Sequence, residues 1–88
     1  MHEYSLLKDI IEKIETIAQE YETDHILGVK VRLGALSQIS AEHLKLHFDE
    51  AAKGTVAEGA NLEIEQLTDK TDPYAQDIML DSVEIEEY

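Results

Sequence analysis

Leu7, Ile10, Ile11, Ile14, Ile17, Ala18 and Tyr21 recur at steps of three and four, the stripe of an amphipathic helix running from about Glu3 to Glu22. Lys8, Glu12, Glu15, Gln19 and Glu22 fall on the opposite side. After Thr23 and Asp24 the period drops to two. Leu27, Val29, Val31 and Leu33 alternate with Gly28, Lys30 and Arg32, which predicts a strand with one buried face. Gly34 ends it, and Ser37 to Ser40 supply cap chemistry for a second helix over about Ala41 to Lys53. Leu44, Phe48, Ala51 and Ala52 form that helix's inward stripe, and Gly54 stops it. Period two returns at Leu62 and Ile64. TDKTDPYAQ, residues 68–76, reads as a turn with Asp72-Pro73 as its strongest signal. In the last strand Ile78 and Leu80 share one phase while Val83 and Ile85 share the other, which places a bulge near Asp81-Ser82.

The element order is therefore α-β-α-β-β over a single domain spanning 1–88. Two helices cannot cover both faces of a three-stranded sheet, so they pack on one face. The other face is left to the charged residues that alternate along each strand. The fold class is α+β.

Charge narrows the choice of partners. Twenty acids against 7 bases give a formal net charge of −13, which repels a phosphate backbone and excludes nucleic-acid binding as the leading function. Basic partners and cations fit better. Charges spread through residues 1–20 match neither a signal peptide nor a membrane span, so the expectation is a soluble cytoplasmic protein with no membrane role. With no cysteine, neither a disulfide nor a thiolate zinc site can form. Catalytic constellations are thin: the four glycines stand singly, and no serine sits in a nucleophile elbow. The chain does not read as an enzyme.

Metal chemistry has more to work with. His43 and His47, at i and i+4 on the second helix with Glu50 a turn further, form a secondary candidate on that helix's flank. His25, at the mouth of the first strand, reads as a surface residue. The chain begins Met-His-Glu, and there the α-amine of Met1, the amide nitrogen of His2 and Nδ1 of His2 can close on one ion. Fused five- and six-membered chelate rings hold these donors nearly coplanar. Nickel(II) and copper(II) favour that geometry, whereas structural zinc takes a tetrahedron. A fourth donor is the Glu3 amide or a side chain folded in from elsewhere. Because the amide must lose its proton, affinity falls as pH drops.

MHEYSLLKDII, VKVRLGALSQIS and KGTVAEGANLEIE together resemble the hydrogenase nickel-insertion accessory proteins of the HypA/HybF family. The resemblance runs from Met1 to about Leu67 and resumes at DSVEIEE. It implies a nickel metallochaperone, holding Ni(II) through Met1, His2 and the Glu3 amide, that serves nickel-iron hydrogenase maturation and in some organisms urease. It implies a GTP-hydrolysing nickel-handling partner and the hydrogenase large subunit as docking partners. It also implies two helices against a three-stranded sheet. Family members insert a zinc ribbon with two Cys-x-x-Cys pairs between the second and third strands, where this chain has only residues 68–76. No zinc is therefore expected, and those two strands should form a hairpin closed by the short turn. A carboxylate that some relatives place near the nickel aligns with Ser40. The alternative is a non-metal partner-binding or regulatory module that kept the fold. Either a monomer or a strand-exchanged homodimer is compatible with the short loop before the second helix.

Overall fold

The computed structural model describes residues 3–85. Helix α1 spans Glu3–Glu20 and buries Leu7, Ile10, Ile11, Ile14 and Ala18, the stripe expected from the three- and four-residue spacing. It stops two residues earlier than its pattern suggests. Glu22 takes a left-handed conformation at φ 54°, Thr23 N–H donates to Ala18 O at 2.9 Å, and Glu22 N–H donates to Gln19 O at 3.1 Å. These two bonds close the last turn in a Schellman motif and turn the chain off the helix axis. Tyr21 consequently leaves the apolar stripe and is 64% exposed.

Strand β1 covers Ile26–Leu33, helix α2 Ala41–Ala52, strand β2 Asn61–Gln66 and strand β3 Ile78–Ile85. The sheet order is β2-β1-β3, with β1 parallel to β2 and antiparallel to β3. The expected hairpin between the second and third strands is thus not formed. Those strands are the two edges, and residues 67–77 carry the chain across the end of β1 from one to the other. The reason lies in burial. Val29, Val31 and Leu33 are buried, whereas the inward residues Leu62, Ile64, Leu80 and Val83 are only partly so. The most apolar strand takes the middle, where neighbours on both sides shield it. Two strand spacings amount to about 10 Å, a distance the connecting loop spans easily.

Lys30 pairs with Ser82 but Val31 with Leu80, so Asp81 is the extra residue of a bulge at the place where the phase change predicted one. A second bulge lies on β1: Ile26 pairs with Ile85 and Gly28 with Glu84, which leaves Leu27 unmatched. This corrects the inward set of the first strand. Ile26 is fully buried, while Leu27, expected inside, is 39% exposed.

Both helices contact the sheet and each other, α1 against β3 and α2 against β2. α2 starts at Ser40, whose side chain accepts from His43 N–H, and buries Leu44, Phe48 and Ala52 with Ala51 half-buried. No polar side chain is buried among the described residues. Hydrophobic burial of one helix layer on one sheet face therefore holds the fold together.

Candidate metal centre and the sheet end beside it

The candidate ligands fall into two groups by position. Met1 and His2 lie outside the described residues. Glu3 opens α1, so its backbone N–H belongs to the first turn, where helical N–H groups have no intrahelical acceptor. Residues 21–25 join the C-terminal end of α1 to the start of β1. The loop to α2 and the 67–77 connection lie at the opposite end of β1, at Leu33. His25 belongs to the other end, exposed, with its backbone tied to Thr23 Oγ1.

On α2, His43 and His47 are exposed and meet edge to face, with ring centroids 6.4 Å apart and planes at 89°. Glu50 is exposed further along the helix. Among the described residues no three His, Asp or Glu side chains form a group able to hold a metal ion, so the helix flank supplies at most a pair and not a closed site. Ser40 Oγ accepts the His43 N–H at 3.2 Å. The Ser40 hydroxyl is therefore already used as a helix cap.

The connection after β2 is tightly built. Gly34 N–H donates to Asp77 O at 2.9 Å, Leu36 N–H to Ala75 O at 2.7 Å and Leu67 N–H to Leu33 O at 2.9 Å. Gln66 Nε2 donates to the carbonyls of Leu33, Gly34 and Leu67 at 3.2, 3.4 and 3.2 Å. Within the turn, Asp69 Oδ1 accepts from Thr71 Oγ1 at 2.6 Å and from Thr71 N–H at 2.9 Å, while Asp72 Oδ1 accepts from Tyr74 N–H at 2.7 Å. The Thr71 hydroxyl, then the Thr71 amide, hold the Asp69 carboxyl below its ordinary value of 3.8. Ala75 is buried, and its carbonyl lies so near Gly34 that a Cβ there would come within 2.1 Å of it. In the sequence Gly34 reads only as a strand terminator, and nothing singles out Gln66. The close approach that demands the glycine comes from a segment more than forty residues away, so no local pattern marks it.

The family model for "Hydrogenase/urease nickel incorporation, metallochaperone, hypA" matches residues 1–72. The chain is 44% identical over 64 residues to the hydrogenase maturation factor HypA of Archaeoglobus fulgidus, an alignment covering 73% of this chain and 58% of that protein. It is 35% identical over 65 residues to the hydrogenase maturation factor HybF of Salmonella typhimurium, covering 74% of this chain and 58% of that protein. The chain thus spans under two thirds of the length of these relatives. Among solved structures, the solution structure of the Ni metallochaperone HypA from Helicobacter pylori superposes with a TM-score of 0.79 over 97% of each chain. At 19% identity that likeness establishes the fold alone.

Proposed function

The chain belongs to the HypA family, described as hydrogenase/urease nickel-incorporation metallochaperones, and from that membership we propose that it carries Ni(II) as cargo at Met1-His2-Glu3. The observation that carries this reading is that the family match begins at residue 1 and takes in all three residues. The donors are the Met1 amine, the amide and Nδ1 of His2, and the Glu3 amide. Glu3 N–H is an orphan of the first helical turn, so using it as a ligand breaks no helix hydrogen bond. The positive end of the helix dipole opposes a bare cation there. Two deprotonated amides offset the charge of the ion, and the same dipole favours their deprotonation.

In this reading the protein is a carrier and not an enzyme. It works in the cytoplasm, passes nickel toward nickel-iron hydrogenase maturation or urease, and meets a nickel-handling GTPase and the hydrogenase large subunit. The chain has no cysteine and so offers zinc no thiolate ligand. Among the described residues no helix is long and apolar enough to cross a membrane.

Calorimetric titration of the protein with free Met1 should give one Ni(II) per chain, with the visible absorption of a planar nitrogen site. His2→Ala, or a few residues added ahead of Met1, should weaken binding at least about a hundredfold, roughly 2.7 kcal/mol. Unchanged binding in both variants would remove the N-terminal site. A non-metal interaction module is the second reading, favoured by the surplus of acid on the open sheet face.

A further inference from the structure

The face of the sheet turned away from the helices has its own electrostatic layout. Lys30 Nζ lies 3.5 Å from Glu65 and 4.0 Å from Asp81, and Arg32 Nε lies 3.8 and 3.4 Å from the same two carboxylates. These four charges balance one another. The side-chain carboxylates of Glu63 and Glu84, on the two edge strands of the same face, have no hydrogen bond or ion pair among the described residues. Between them is a shallow depression of about 100 Å³, with Gly28, Asn61 and Ser82 in its lining. Lys30 also borders it, its ammonium held by Glu65 and Asp81.

Gly28 is what keeps the depression open. It sits inside the central strand, where glycine sacrifices side-chain packing and costs roughly 0.5–1 kcal/mol relative to alanine. Its φ is not in the left-handed region, so an L side chain is not strained there by backbone conformation. A Cβ would project into the depression, 3.3 Å from Glu84 Oε2 and 3.4 Å from Asn61 O. A glycine inside a strand goes with a bulge or with the close approach of another group, and Gly28 both follows the bulge at Leu27 and floors the depression.

We propose that this face docks a basic segment of a partner protein, with one arginine side chain of that segment seated over Gly28 between Glu63 and Glu84. The two carboxylates flank the depression from opposite edges of the sheet, and a planar guanidinium, with donors along both sides, can bond both at once. Asn61 Oδ1 and Ser82 Oγ provide further acceptors at the rim. The net charge of −13 steers a basic segment toward the protein, and the glycine cradle selects where its arginine lands. The proposal does not depend on nickel.

The test is a titration of the ¹⁵N-labelled full chain with a capped tetra-arginine peptide at physiological ionic strength, followed by amide shifts. Shifts should centre on Gly28, Asn61 and Ser82, and a tetralysine peptide should bind more weakly. Gly28→Ala should weaken arginine binding about tenfold while leaving the melting temperature unchanged or raised. Glu63→Gln with Glu84→Gln should weaken it as much. Glu12→Gln with Glu42→Gln, the same charge change on the helices, should alter it less than about twofold. Should Gly28→Ala misfold, the two glutamine pairs carry the comparison alone. The proposal is overturned if folded Gly28→Ala binds like the parent, or if the two glutamine pairs weaken binding equally. It is also overturned if the shifts spread evenly over the acidic helix surfaces.

Discussion

Replacing Gly34 by alanine tests how the connection after β2 is held. The added Cβ would meet Ala75 O at 2.1 Å, Ala75 C at 2.5 Å and Asp77 O at 2.9 Å, all of them backbone atoms that no rotamer change can move aside. Relief requires the 72–77 segment to lift from the end of β1. That breaks the Gly34 N–H to Asp77 O and Leu36 N–H to Ala75 O bonds, each worth about 1 kcal/mol net. Exposing the buried Ala75 methyl adds somewhat under 1 kcal/mol. The loss is therefore about 3 kcal/mol, out of roughly 4–13 kcal/mol for a domain of this size. In urea, with a slope near 1 kcal/mol/M, the unfolding midpoint should fall by about 2–3 M with the slope unchanged. Amide exchange at Leu36 should accelerate in parallel. Gly54→Ala is the control: its φ of +79° strains an alanine, yet nothing lies within 4 Å, so the cost should stay near 1 kcal/mol. A Gly34→Ala midpoint within about 0.5 M of the parent would refute the close-approach reasoning.

Ser40→Ala removes the hydroxyl that caps α2 at the His43 N–H and should cost about 1 kcal/mol in thermal unfolding, with Ser40→Asp restoring most of it. Glu22→Gly relieves the left-handed φ of 54° at the end of α1 and should raise stability by roughly 0.5 kcal/mol, checked by the same melts. Asp69 has its folded pKa lowered below 3.8, so its contribution to stability is present above that value and disappears as pH falls through the lowered one. Thr71→Val should move the Asp69 carboxyl midpoint, followed by NMR, back up toward 3.8 without fully reaching it, because the Thr71 amide still donates to the carboxylate.

The elements and fold class were legible because burial here is one-sided, and one-sided burial writes a period into the chain. Leu44 and Phe48 on α2 and Val29, Val31 and Leu33 on β1 are inside as their spacing requires. The bulge at Asp81 was legible for the same reason, since an extra residue flips the phase of everything after it. The bulge at Leu27 was not: Ile26 and Leu27 are both large and apolar, and alternation accepts either as the inward residue. The strand order was not legible either. β2 and β3 alternate as a hairpin pair would, and what separates them is competition for the middle of the sheet, which depends on all three strands at once.

The two binding sites proposed for this chain differ in the same respect. The nickel chelate uses donors from three consecutive residues, fixed relative to one another by covalent geometry, so its chemistry could be written down from Met1-His2-Glu3 before any fold was known. The arginine cradle uses Gly28, Glu63 and Glu84, which meet only because β1 is paired in register with both edge strands. A one-residue slip of β2 would send Glu63 to the helix face and bury a carboxylate, so the register that builds the hydrophobic layer also builds the cradle. The two sites need not respond alike to a loss of stability. Fraying at an edge strand should disperse the cradle while leaving the chelate's donors connected through their own bonds.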